Sequence, residues 1–301
     1  MKHALSRFEA FFLAPASPRP IAALRIGLAV VLLLQAFLLR HDMIEFLASD
    51  GIVQGELASY FSGEGVPRLS LLTDFLARWH ITETAGIQFA CGVYGLSLAL
   101  LGVGLFTRTA SILAWLLHWT IMNTSDSTAY GVDLYAHVFL FYLMWMPAGD
   151  AWSLDVRLGR RREEFSPYAR LGIRVLQLQL CITYLCSAVE KATGPQWWNG
   201  ELLWRALNLP VYRQFDFTWL VNWPLLLKVG GWGSLALEGL YWIFIWPRKT
   251  RRFWVAGIVG LHLGIALFLG LHLFGLIMCV LTLSAFAVSS EPSAKFSLPA
   301  N

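Results

Sequence analysis

Six polar side chains fall on one stripe between residues 170 and 191: Arg170, Arg174, Gln177, Cys181, Tyr184 and Lys191. Arg170, Gln177, Tyr184 and Lys191 recur at steps of seven, so a helix here offers a polar seam to its neighbours. Lys191 ends the seam beside Glu190. An amine held half out of water favours its neutral form, and a neutral amine can accept a proton where a solvated ammonium cannot. Further ionisable groups stand in apolar surroundings. Tyr130, Asp133 and His137 share one helical face, Glu238 is followed by Tyr241 one turn on, and His262 lies in a later run. Plainer readings compete for each. Lys191 could snorkel, or pair with Glu190 or Asp133. His118 and His272 read as hydrogen-bonded to a neighbouring helix, and Arg25 as reaching for the interface. Ionisable groups in apolar helices are expensive and tend to mark a site. Asp133, His137, Glu190, Lys191 and His262 are therefore the acid–base candidates.

The elements that must hold these residues are membrane helices. The chain has 301 residues, 57% hydrophobic and 14% charged, against about 25% charged in ordinary soluble domains. That excess cannot be hidden in one soluble core. Apolar runs long enough to cross or nearly cross a bilayer are Ile21–Leu39, Thr84–Phe106, Ala110–Met122, Val132–Pro147, Leu171–Val189, Trp232–Trp246, Phe253–Leu269 and Leu271–Ala287. The last two need a break near Gly270. The expected fold is thus an all-α membrane protein, a single bundle of about eight transmembrane helices. The segment from Phe215 to Gly230, which carries Pro224 and Lys228, is expected to lie on the outer interface or re-enter.

Charge sets the orientation. Loops 107–109, 148–170 and 247–252 span 32 residues and hold ten Lys or Arg, whereas segments 40–83, 123–131 and 190–231 span 95 and hold seven. Positive charge gathers on the cytoplasmic side, so both termini are expected there and the Lys191 region toward the outer, periplasmic side of an inner membrane. Residues 1–20 read as an interfacial N-terminus, 21–289 as the transmembrane domain and 290–301 as a flexible tail. The first run lacks a small-residue cleavage site after it and reads as an anchor. The net charge of +4 does not suggest nucleic acid. Cys91, Cys181, Cys186 and Cys279 form no C-x-x-C pair and read as buried structural thiols, and no metal is expected.

Several segments in order resemble the horizontally transferred transmembrane (HTTM) domain, the membrane core of vitamin K-dependent γ-carboxylases and bacterial relatives. They are Ala23-Leu24-Arg25-Ile26-Gly27, Gly104-Leu105-Phe106-Thr107-Arg108, Trp152-Ser153-Leu154-Asp155, and Tyr184 through Lys191 followed by Trp197, Trp198 and Gly200. Glu238 and the His262 helix follow in the expected order. The resemblance implies vitamin K hydroquinone or another reduced quinone as cofactor, with Lys191 as the base that deprotonates it, and Asp133, His137 and His262 as further catalytic groups. It implies that Tyr184, Trp197, Trp198 and Glu238 line the cofactor pocket. Two departures stand out. Glu190 replaces the first lysine of a Lys-Lys pair, and Asp133 stands where a histidine is expected. The chain also ends soon after the membrane core, where animal carboxylases carry a large lumenal region.

Three functions follow. One is a carboxylase-like enzyme that oxidises a reduced quinone to drive carboxylation or a related modification. Another is a non-catalytic factor for maturing or exporting a secreted peptide or protein. The last is a small-solute transporter using Asp133, Glu238 and His262 as relays, which the lack of internal repeats disfavours.

Overall fold

A computed structural model describes residues 2–52, 66–124 and 129–291. Most of the expected tail therefore lies outside the described residues. The described chain is helical, with one isolated β-bridge between Ala16 and Ser166. In order the helices are α1 (Lys2–Leu13), α2 (Arg19–Leu38), α3 (Met43–Leu47), α4 (Leu69–Ala77), α5 (Glu83–Val103), α6 (Thr107–Thr124), α7 (Gly131–Trp145) and α8 (Leu154–Arg157). They continue with α9 (Pro167–Thr193), α10 (Pro195–Trp198), α11 (Glu201–Asn208), α12 (Pro224–Gly239), α13 (Tyr241–Phe244), α14 (Arg248–Leu269) and α15 (His272–Phe286). Four of the described helices, α2, α5, α9 and α14, are long and apolar enough to cross a membrane, and α7 and α15 are shorter apolar helices. Helix α14 has a mean hydropathy of 1.8 yet buries only 11% of its apolar window, so that surface must meet lipid. The chain is a membrane protein.

The helices group into two compact units, each with its own internal packing. The first, Ile21–Phe165, is organised around a buried arginine. Arg25 is fully buried and does not snorkel. Its Nη1 donates to the Leu101 and Gly102 carbonyls at 2.8 and 3.2 Å, and its Nη2 to those of Trp152 and Ala151 at 2.7 and 3.4 Å. The C-terminal carbonyls of a helix have no partner within it, and a cation there also meets the negative end of the helix dipole. Arg25 supplies both needs for α5. Gly104 ends that helix at φ +72°, and a Cβ there would collide with the Arg25 guanidinium and with Ser153.

Asp155 ties the same junction from the other side. Its carboxylate accepts from the Phe106 and Thr107 N–H groups at 3.0 Å each and from the Thr107 hydroxyl at 2.8 Å. Burial pushes this carboxyl up, but the Thr107 and Phe106 donors and the Arg160 guanidinium outweigh it and hold it below the ordinary carboxylate range. The first three resembling segments, distant in sequence, thus meet at one joint.

The second unit comprises Met1–Pro20 and Ser166–Asn301. Ser166 caps α9 by accepting from the Ala169 N–H, and Pro167 occupies the first turn, where no N–H is required. The polar seam does what its spacing implies at the lower end. Arg170 and Arg174 donate to the carbonyls of Ala14 and Phe11, pinning the end of α1, and Gln177 donates to the Ala285 carbonyl on α15. Gly270, at φ +70°, makes the expected break between α14 and α15. Gly275 lets α15 approach, since a Cβ there would lie 2.6 Å from the His262 carbonyl oxygen.

Two expectations change. The sixth expected run starts as a helix, α12, at Pro224 and not Trp232, and that helix ends at Gly239, so nearly half of the expected interfacial segment lies in it. Proline at the first helical turn explains the earlier start. The thiols are not uniformly buried: Cys181 and Cys279 are, whereas Cys91 is half-buried and Cys186 exposed.

Candidate functional site

Near its C-terminal end α9 presents Lys191 to α12. The Lys191 Nζ lies 2.6 Å from each oxygen of Glu238. The lysine side chain is 22% exposed and the glutamate 4%. Helix α9 ends at Thr193, and the chain turns through Gly194 into the short α10, which brings the Trp197 ring to 5.1 Å from Nζ. A cation over an indole face gains from the ring quadrupole. Of the alternatives the sequence left open for this amine, the geometry has an ion pair, with a partner that neither Glu190 nor Asp133 supplies. The lysine is ion-paired, its partner is Glu238, and Glu190 is exposed.

Glycines set the tryptophans in place. A Cβ on Gly231 would stand 2.5 Å from the Trp197 carbonyl oxygen. One on Gly200, which sits at φ +81°, would stand 2.8 Å from the Leu227–Lys228 backbone. The Trp232 Nε1 donates to the Trp198 carbonyl at 2.9 Å, and the Trp198 Nε1 to that of Ala192. Trp198 keeps half its surface exposed.

One turn or two below, Tyr184 is 2% exposed, with its hydroxyl 3.0 Å from the His262 Nε2 and its ring 4.5 Å from that of Tyr241. These packed rings place Tyr184 in the core of the second unit. The His262 Nδ1 is buried and has no hydrogen-bond partner among the described residues. Lys191, Glu238, Trp197, Trp198, Tyr184 and His262 thus belong to the second unit.

Asp133 and His137 belong to the first unit, in a cluster of their own. The Asp133 Oδ1 accepts from the Gln35 Nε2 at 2.7 Å, and its Oδ2 accepts from the Tyr130 N–H at 3.1 Å, closing a capping box on α7. His137 stacks on Trp115 at 5.3 Å. His118, expected to bond to a neighbouring helix, does so with Tyr94 at 2.9 Å and with the Asp133 carbonyl at 3.0 Å. Gln35 and Tyr94 escaped the sequence reading because a lone amide or phenol in an apolar run carries no periodic signal. Among the described residues no group of His, Cys, Asp or Glu could hold a metal ion.

Taken as chemistry, the Lys191–Glu238 pair combines a proton acceptor with a fixed positive charge at the edge of an apolar helix bundle. A carboxylate can take a proton from a hydroxyl, and the adjacent ammonium lowers the energy of the anion left behind.

Comparison with proteins of curated function and with solved structures gave no match. Comparison with family models matched the HTTM domain over residues 21–289, which includes both units' clusters and the Arg25 joint. The chain belongs to the HTTM domain family.

Proposed function

We propose that the chain is a carboxylase-like membrane enzyme whose Lys191–Glu238 pair deprotonates a lipid-soluble hydroxylated reductant, a reduced quinone by family resemblance. The observation that carries this reading is the symmetric 2.6 Å contact of one ammonium with both carboxylate oxygens, beside the half-exposed Trp198. The roles differ from those first expected. Glu238 accepts the proton, and Lys191 remains an ammonium that stabilises the resulting anion. The pair fits such a group: a carboxylate for the hydroxyl, a cation for the charge, and the Trp197 ring for a flat face. A bound reduced quinone would supply electrons for the later steps. Trp198 would shelter the edge of the site from water, and the Tyr184–His262 bond would hold α9 against α14 so that Lys191 stays in register.

The test is epoxide formation from vitamin K hydroquinone under oxygen by the purified full chain in nanodiscs. Wild type should turn over, while Glu238→Gln and Lys191→Ala should each lose activity by about a hundredfold or more. No product from wild type, together with no binding of the hydroquinone, overturns the reading.

A second reading is a non-catalytic factor for maturing or exporting a secreted peptide. Closure of Lys191 on Glu238 favours it, because an ion pair between adjacent helices also serves as a fastener. Under that reading, export of the peptide would survive Lys191→Met/Glu238→Leu, which keeps the helices packed without the charges.

A further inference from the structure

The first unit contains a cavity of about 300 Å³, at the lower end of the range for small-molecule sites. Its walls are mostly apolar, with Leu32, Ala36, Met43 and Leu47 among them. Five polar side chains also line it: Gln35, Tyr94, His118, Tyr130 and Asp133. The hydrogen bonds fix which of these can still receive a ligand. The Asp133 carbonyl only accepts, so a neutral His118 donates to it from Nε2 and takes the Tyr94 proton at Nδ1. The Tyr94 oxygen then presents lone pairs, not a proton. Each Asp133 carboxylate oxygen accepts one N–H, from Gln35 or Tyr130, and retains a further acceptor position. Tyr94 and Asp133 therefore offer acceptors to its contents, beside the Gln35 amide and the Tyr130 hydroxyl.

We propose that this cavity binds an uncharged apolar molecule carrying a hydroxyl, an alcohol or a phenol, which donates to Tyr94 and Asp133. A cation fits less well. Two N–H donors and the first turn of α7 already compensate the Asp133 charge, whereas a buried ammonium would still have to shed its water. An acid would face a like charge. Met43 and Met122 give the wall the adaptability of unbranched thioethers, suited to a ring or a short chain. This site is independent of the Lys191 chemistry.

The test uses the full chain in nanodiscs and three probes: 1-naphthol, naphthalene and 1-naphthylmethylamine. Saturable binding, read by quenching of protein tryptophan fluorescence, should favour 1-naphthol over naphthalene by roughly tenfold or more, the effect of one hydrogen bond to a charged acceptor. Tyr94→Phe should reduce that preference severalfold, and Ala36→Trp, which fills the cavity, should abolish saturable binding of all three. Lys191→Ala should bind 1-naphthol as wild type does, which separates this site from the proposed catalytic one. A raised unfolding temperature of wild type with 1-naphthol, but not with naphthalene, would support the site without any variant. Equal affinity for naphthol and naphthalene, tighter binding of the amine, or undiminished binding in a folded Ala36→Trp protein would overturn the proposal.

Discussion

Replacing Arg25 with methionine preserves most of the side-chain volume and removes the guanidinium donors at the joint of the first unit. Four carbonyls then lose their partner. Those of Trp152 and Leu101, at 2.7 and 2.8 Å, are short contacts to a charged donor, while those of Gly102 and Ala151, at 3.2 and 3.4 Å, are weaker. Bonds to charged groups contribute about 1.5–3 kcal/mol each, so the two short ones alone account for about 3–6 kcal/mol. Water reaching the freed carbonyls at the end of α5 would recover part of this, so a loss of about 3–5 kcal/mol is expected. Arg25→Lys should lose about half as much, because one ammonium cannot fork between the ends of two segments. Equilibrium unfolding of the full chain in a single detergent measures both. An Arg25→Met protein within about 1 kcal/mol of wild type would falsify the assignment of Arg25 as the cap of this joint. A double-mutant cycle sharpens the test. Gly104→Ala should destabilise on its own, since its Cβ strikes the guanidinium at φ +72°. Its added cost should shrink in the Arg25→Met background, leaving the Ser153 clash and the left-handed strain of about 1–2 kcal/mol.

Other outcomes follow from the same geometry. Glu238→Leu strands the Lys191 ammonium and should cost about 2–4 kcal/mol, discounted for its partial exposure, whereas Lys191→Met/Glu238→Leu should be less destabilised than either single variant in the same unfolding assay. Gly231→Ala places a carbon 2.5 Å from the Trp197 carbonyl oxygen, so it should displace the tryptophan pair and red-shift or quench its fluorescence, with activity lost in parallel. Asp155 has a lowered folded-state value, so its contribution to stability is full above the ordinary carboxylate range and disappears as pH falls through the lower one. Acid unfolding curves should therefore flatten below about pH 4 in Asp155→Asn relative to wild type.

Hydropathy made the helices legible because lipid imposes a one-residue-at-a-time penalty that composition records directly. Runs at Ile21, Thr84, Leu171 and Phe253 all became long helices, and the break at Gly270 followed from length alone. Runs with internal proline or dispersed polar residues were read less well. Pro224 looked like an interruption in sequence, yet proline at a first helical turn starts a helix as readily as it ends one elsewhere. Division into two units went unread even though the charged stretch 160–164 directly precedes the boundary after Phe165, because a basic run of this kind also marks an ordinary loop between membrane helices.

The candidate site illustrates a deeper limit. Periodicity assigns a side chain to a face but does not name what that face meets. The seven-residue stripe on α9 was read correctly as a polar seam, yet its members have unrelated tasks: Arg174 holds α1, Gln177 holds α15, Tyr184 meets His262, and Lys191 meets Glu238. Lys191 and Glu238 are 47 residues apart, and only the packing of α9 on α12 joins them. In the proposed function that pairing assigns the roles. Under the proposed function the carboxylate is the proton acceptor and the amine the neighbouring charge that steadies the anion. If the protein is catalytic, Glu238→Gln must therefore be at least as damaging to proton transfer as Lys191→Ala. A Lys191→Ala enzyme should also retain a small residual rate that Glu238→Gln lacks, because loss of a stabilising charge slows a transfer whereas loss of the acceptor removes it.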